Sequence, residues 1–172
     1  AGTLISAILR LSKAEWRRPI TRMAEVITAI VLAIGGLHPI IDQGRPDRIL
    51  NLFEYGRLQS PLLWDVTSIT AYFTASTVYL YIPMIPDIAS LRDQGGKLNW
   101  FYTFLAWGWE GTERQKKILN RAISILMVMV IPIAVSVHTV ISFIFSMTLQ
   151  PGWHSTIFGP YFVVGAIFSG IA

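Results

Sequence analysis

A few ionisable residues stand out in a chain that is otherwise apolar: His38, His138 and His154, with Glu25, Asp42 and Asp65. The stretch GLHPIIDQGRPDR at Gly36–Arg48 packs one histidine, two aspartates, two arginines and two prolines into thirteen residues. Asp65, Ser68, Tyr72, Ser76 and Tyr79 follow one another at spacings of 3, 4, 4 and 3, which places them on one face of a helix. His138, Ser142 and Ser146 share a face at spacings of 4 and 4, as do Glu25 and Thr28 at a spacing of 3. A carboxylate with hydroxyls behind it can form a proton or water wire. Histidine and a desolvated aspartate suit the oxidation of a lipid-soluble quinol, which gives up two protons with two electrons and needs a general base. It also needs polar groups for the ring oxygens and an apolar slot for the tail. Haem is the other option, with His38 and His138 as axial ligands from two spans. The plainer readings are solvation at an interface for His38 and Asp42, and helix packing for the hydroxyls.

The elements that would position these residues are membrane spans. Hydrophobic residues make up 53% of the 172 residues and charged ones only 14%, against about 25% charged in a soluble domain. Mean hydropathy is +0.52. With no cysteine, thiolate-held iron–sulfur clusters, Cys-type zinc sites, CxxCH haem attachment and disulfides are excluded within this chain. Nothing points to nucleic acid. The expectation is an all-α, polytopic helix bundle forming one transmembrane domain over 1–172. Full spans are expected at about 23–41, 62–85 and 118–149, with partial spans at 2–9 and 160–172. Partial spans at both ends mark the chain as an internal fragment of a longer protein. Ser60-Pro61 reads as a helix start, and Pro132 should kink the third span. NWFYTFLAWGWE at Asn99–Glu110 reads as an interfacial segment.

Lysine and arginine divide unevenly between the connections. Arg10, Lys13, Arg17, Arg18 and Arg22 precede the first span, and Arg92, Lys97, Arg114, Lys116, Lys117 and Arg121 lie between the second and third. The opposite side has only Arg45, Arg48 and Arg57, a split of 11 to 3. The positive-inside rule puts Arg10–Arg22 and Arg92–Arg121 in the cytoplasm, and the loops 42–60 and 150–159 outside. His38 then lies at the outer end of the first span, and Asp65 about one turn into the second. His138 lies about 16 Å before the outer end of the third. The three histidines and Asp65 therefore gather in the outer half of the membrane or at its edge, where intramembrane ionisable groups default to functional candidates.

Several runs carry a family resemblance: ISAILRLSKAEWRRPITRMAE, the GLHPIIDQGRPDR stretch, SPLLWDVTSITAYFTAS, SVHTVISF and PGWHSTIFGPYFVVGAIFSG. In this order they resemble the NrfD/PsrC family, and most closely the large quinol-handling membrane subunits of bacterial alternative complex III. The resemblance implies a multi-pass subunit of the bacterial cytoplasmic membrane without haem or an iron–sulfur cluster of its own. It would sit beside an iron–sulfur subunit, cytochrome c-type subunits and a homologous membrane subunit, with menaquinone the expected quinone. It implies quinol oxidation at the periplasmic side, with electrons leaving to the iron–sulfur subunit. His38 and Asp65 match positions assigned to the quinol site. His138 and Arg45 are supporting candidates, and Asp65, Ser68, Tyr72, Ser76, Tyr79 and Glu25 form the candidate proton path. The pattern departs at Asp42-Gln43 before Gly44, and at Ile144, where many members carry an acid. Three roles therefore stay open: quinol oxidiser, non-catalytic membrane scaffold, and proton-translocating subunit.

Overall fold

A computed structural model describes residues 2–42, 44–95 and 98–170. Gln43 and Lys97 lie outside the described residues, as do Ile171 and Ala172 of the last expected partial span. The described residues are helical, with no strand among them. The α-helices are α1 (Gly2–Leu11), α2 (Arg18–Gly35), α3 (His38–Asp42), α4 (Asn51–Glu54), α5 (Pro61–Asp93), α6 (Asn99–Leu105), α7 (Glu113–Thr148) and α8 (Phe158–Ser169). Short 3-10 turns at Glu15–Arg17, Pro46–Arg48 and Trp153–Ser155 join them.

Local chemistry sets the boundaries. Ser60 stands extended before α5 and Pro61 opens the helix, yet the Ser60 hydroxyl makes no capping bond; the fixed φ of proline suffices there. At α7, Thr112 and Gln115 form a full capping box, with the Thr112 hydroxyl accepting from the Gln115 N–H and Gln115 Oε1 accepting from the Thr112 N–H. That satisfies two of the donors a helix start leaves open. α7 then stays helical through Pro132, as α5 does through Pro83 and Pro86. α2 stops at Gly35, and the chain restarts as the short α3. The first apolar run is thus two helices rather than one.

α1, α2, α5 and α7 pack together, with α8 against α7 and α6 against α5. Ser6 meets Glu25 on α2, while Leu4 shares a cluster with Tyr72 on α5, and Ala7 with Tyr79. α1 therefore runs antiparallel to α2 and parallel to α5. Tyr79 packs with Val130 and Tyr72 with Ala134 and Val137, so α7 runs antiparallel to α5.

The burial pattern is inverted relative to a water-soluble bundle. The interior holds Thr3, Ser6, Thr21, Glu25, Thr28, Ser76, Ser142 and Ser146, with small apolar partners such as Ala7, Val130 and Ala134. Ile30 and Ile34 of α2, and Ile125 and Val128 of α7, face outward. Hydrocarbon around a bundle removes the reason to hide isoleucine, and it penalises polar groups that face out. By length and composition, α7 is the one helix among the described residues able to cross a bilayer, and α1 and α8 are shorter apolar helices. α5 is long enough, but its serines, threonines and tyrosines lower its hydropathy. α2 carries Arg18, Arg22 and Glu25 within its length. α6 presents Trp100 and Phe104, and Trp107 follows it, all exposed. The Tyr81 hydroxyl donates to the Leu105 carbonyl at 2.5 Å and ties that segment to α5.

Candidate functional site

The 3–4 spacing along α5 produces a real face. Asp65 and Ser68 are half-buried, and Tyr72, Ser76 and Tyr79 are buried against α1 and α7. A cavity of about 460 Å³ opens beside Tyr72 between α2, α5 and α7. Its walls are mainly apolar, including Val31 and Leu32 of α2, Ile69 of α5 and Ile141 of α7, and its polar groups come from Thr28, Tyr72 and His138.

His138 has a defined tautomer. Its Nδ1 lies 2.6 Å from the Ala134 carbonyl one turn earlier. A carbonyl only accepts, so Nδ1 carries the proton and the neutral ring leaves Nε2 as an acceptor. The rings of Tyr72 and His138 meet edge to face, with centroids 6.5 Å apart. Thr3 and Ser76 flank the Tyr72 hydroxyl, yet none of these three buried oxygens has a hydrogen-bond partner among the described residues. Asp65 sits seven residues before Tyr72 on the same face, about 10 Å along the axis. Its Oδ1 is buried and without a partner among the described residues.

The column continues in the other direction. Below Ser76, Tyr79 packs against the guanidinium of Arg10, 5.4 Å from the ring centre. Ser6 donates to Glu25 Oε1, and Arg10 Nη2 lies 3.6 Å from the same oxygen. Glu25 is only 1% exposed; a carboxylate so placed needs such partners or a proton. Beyond it, a second cavity of about 400 Å³ is bordered by Glu25, Arg22 and Asp87. Arg22 and Asp87, both on its wall, pair at 2.5 Å.

The structure thus brings together Asp65, Ser68, Tyr72, Ser76, Tyr79, His138 and, at the far end, Glu25. His38 stands apart. It is exposed on α3, with Nδ1 held 3.1 Å from the Ile34 carbonyl. Arg45 lines a different cavity, in the loop between α3 and α5. The Asp42 side chain lies outside the described residues. Ser142 donates to the Gly159 carbonyl at 2.8 Å, so its hydroxyl ties α7 to α8 rather than joining the column. Among the described residues no three His, Asp or Glu side chains gather as a metal site. Sequence reasoning missed Thr3, Ser6 and Arg10. Their spacing of 3 and 4 on α1 was the available signal, obscured because α1 reads as an incomplete span.

Over residues 1–172 the chain matches the family model described as polysulphide reductase, NrfD. The chain belongs to the NrfD family. A relative in Halobacterium salinarum, named as a membrane subunit of dimethyl sulfoxide reductase, is 25% identical over 171 residues. The match covers 99% of this chain and 37% of that relative's length. The NrfD-family chain is therefore an integral membrane subunit, and its polar interior is the interior of a membrane bundle.

Proposed function

We propose that this NrfD-family subunit serves a multi-subunit oxidoreductase complex by binding a quinol in the cavity between α2, α5 and α7. It passes the quinol's protons to residues of α5 and α7. The observation that carries the reading is the pairing of Tyr72 and His138 in a largely apolar cavity. A Nε2 lone pair and a partnerless hydroxyl are the two polar contacts a quinol ring requires, and the isoleucine and leucine walls suit an isoprenoid tail. Oxidation breaks two O–H bonds and releases two electrons. His138 Nε2 takes one proton; Asp65, at the end of the face nearer His38, takes the other. The electrons leave to an iron–sulfur subunit of the complex. His38 on α3 marks the rim on Asp65's side, and the 11-to-3 charge split favours a rim outside the cytoplasm.

The motif runs around Gly36–Arg48 and Ser60–Ser76 support a place nearest the quinol-handling subunits of alternative complex III. On that reading the quinol is menaquinol and the membrane is the bacterial cytoplasmic membrane. The complex then also holds cytochrome c-type subunits and a homologous membrane subunit.

Quinol turnover by the purified complex tests the proposal. His138→Ala is expected to cut turnover by about 10²-fold or more, the scale of a lost general base, and Asp65→Asn to lower it similarly. Undiminished turnover in Asp65→Asn, His38→Ala and His138→Ala favours a non-catalytic scaffold instead. A second reading has its own observation, the buried column from Tyr72 through Ser76 and Tyr79 to Glu25. Under it the column moves protons, and Tyr72→Phe with Ser76→Ala uncouples proton movement from quinol turnover.

A further inference from the structure

The three cations on the charge-poor side of the chain are Arg45, Arg48 and Arg57, and all three line one cavity of about 560 Å³. Positive charge is scarce on that side of a membrane protein, and here all of it converges on one cavity. We infer that this cavity holds the phosphate of an anionic phospholipid headgroup.

The loop is built to bring the arginines together. Gly44 adopts φ +66°, a left-handed turn open to glycine, and the residue after it, Arg45, leaves the helical region at φ −136° before Pro46. The 3-10 turn at Pro46–Arg48 closes with the Arg48 N–H on the Arg45 carbonyl at 3.0 Å. After α4 the backbone at Gly56 passes so close to that helix that a Cβ would stand 2.1 Å from the Leu52 carbonyl. Arg57 follows directly and lines the same cavity. Trp64 at the start of α5 then pins the loop, its indole N–H donating to the Leu58 carbonyl at 2.5 Å.

None of the three guanidinium groups has an ion-pair partner among the described residues, and neither Asp47 nor Glu54 lines the cavity. Guanidinium groups match phosphate oxygens bidentately, which lysine does not. Asn51, Tyr55 and Ser60 add neutral donors to the same wall. A lipid rather than a free anion is favoured by the surroundings. Leu52 and Leu62 line the cavity beside the arginines, and exposed Leu50, Phe53 and Leu58 flank it. The cavity lies where α5 begins, with Ser60 and Leu62 on its wall. This inference does not depend on the quinol reading.

The test uses the full-length protein in nanodiscs of phosphatidylcholine doped with phosphatidylglycerol, extracted and read by native mass spectrometry. Wild type is expected to retain phosphatidylglycerol in preference to phosphatidylcholine. R45Q/R48Q/R57Q is expected to lose that retention by about tenfold or more, the worth of at least one charged hydrogen bond. R48Q and R57Q alone, chosen in case the triple variant does not fold, are each expected to weaken it severalfold. Unchanged retention in both single variants overturns the assignment. Displacement by inorganic phosphate shows a site for a free anion and overturns the lipid. Loss of an extrinsic subunit from the triple variant, with lipid retention intact, assigns the arginines to an acidic partner and also overturns it.

Discussion

At the residue scale, the proposed chemistry rests on Tyr72 and His138, whose rings meet edge to face at the cavity wall. His138 spends Nδ1 on the Ala134 carbonyl and keeps Nε2 for a ligand. Tyr72→Phe removes one hydroxyl with no partner among the described residues, so the fold should be unharmed. Binding of a quinone analogue, measured by competition in the purified complex, is expected to weaken about tenfold, the worth of one ligand hydrogen bond. At the other end of the column, Arg10 and Glu25 form a pair that burial makes interdependent. Arg10→Met removes the foremost of the cations near Glu25 and is expected to cost about 3 kcal/mol. Arg10→Met/Glu25→Gln is expected to cost clearly less, which denaturant unfolding in detergent can check as a double-mutant cycle. Asp65 and Glu25 were legible as candidates because an acid inside an apolar run has few reasons to be there. Their partners were not, because Ser6 and Arg10 lie 19 and 15 residues from Glu25 in sequence and meet it only after α1 folds back on α2.

At the element scale, helix faces were readable and helix ends less so. The run from Asp65 to Tyr79 predicted one face of α5 because side chains at i+3 and i+4 stack on one stripe. The split of the first apolar run at Gly35–Leu37 was not anticipated, since apolar length alone does not register a break in the hydrogen-bond ladder. The capping box at the start of α7 was also overlooked, although Thr112 and Gln115 have the required spacing. Thr112→Ala is expected to destabilise the protein by about 1 kcal/mol, visible as a small drop in unfolding midpoint with helical content unchanged. Gly56→Ala should do more local harm. Its Cβ would collide with the Leu52 carbonyl, so the α4–α5 connection must shift, and protease nicking of that loop is expected to increase.

At the scale of the whole molecule, composition already pointed to a membrane protein, and the inverted burial of the bundle gives the physical reason. Hydroxyls, a carboxylate and small residues fill the interior, and isoleucines face out. The cavity could not be read from the sequence. It forms only where α2, α5 and α7 converge, and no local pattern encodes their mutual spacing. Single cysteines introduced into this cysteine-free stretch, in a background whose other cysteines are replaced, make orientation directly measurable. In intact cells a membrane-impermeant maleimide is expected to label Tyr55→Cys at once, and Lys116→Cys only after lysis. The reverse pattern contradicts the orientation derived from the lysine and arginine count.

Photo-crosslinking probes the proposed quinol site between α2, α5 and α7. An azido-quinone is bound to the intact complex, illuminated, and its adducts mapped by peptide mass spectrometry. Adducts are expected within Ile69–Tyr72 and Val137–Ile141, lost on competition with unlabelled quinol and sharply reduced in His138→Ala. Specific, competable adducts that fall entirely outside α2, α5 and α7 would contradict it.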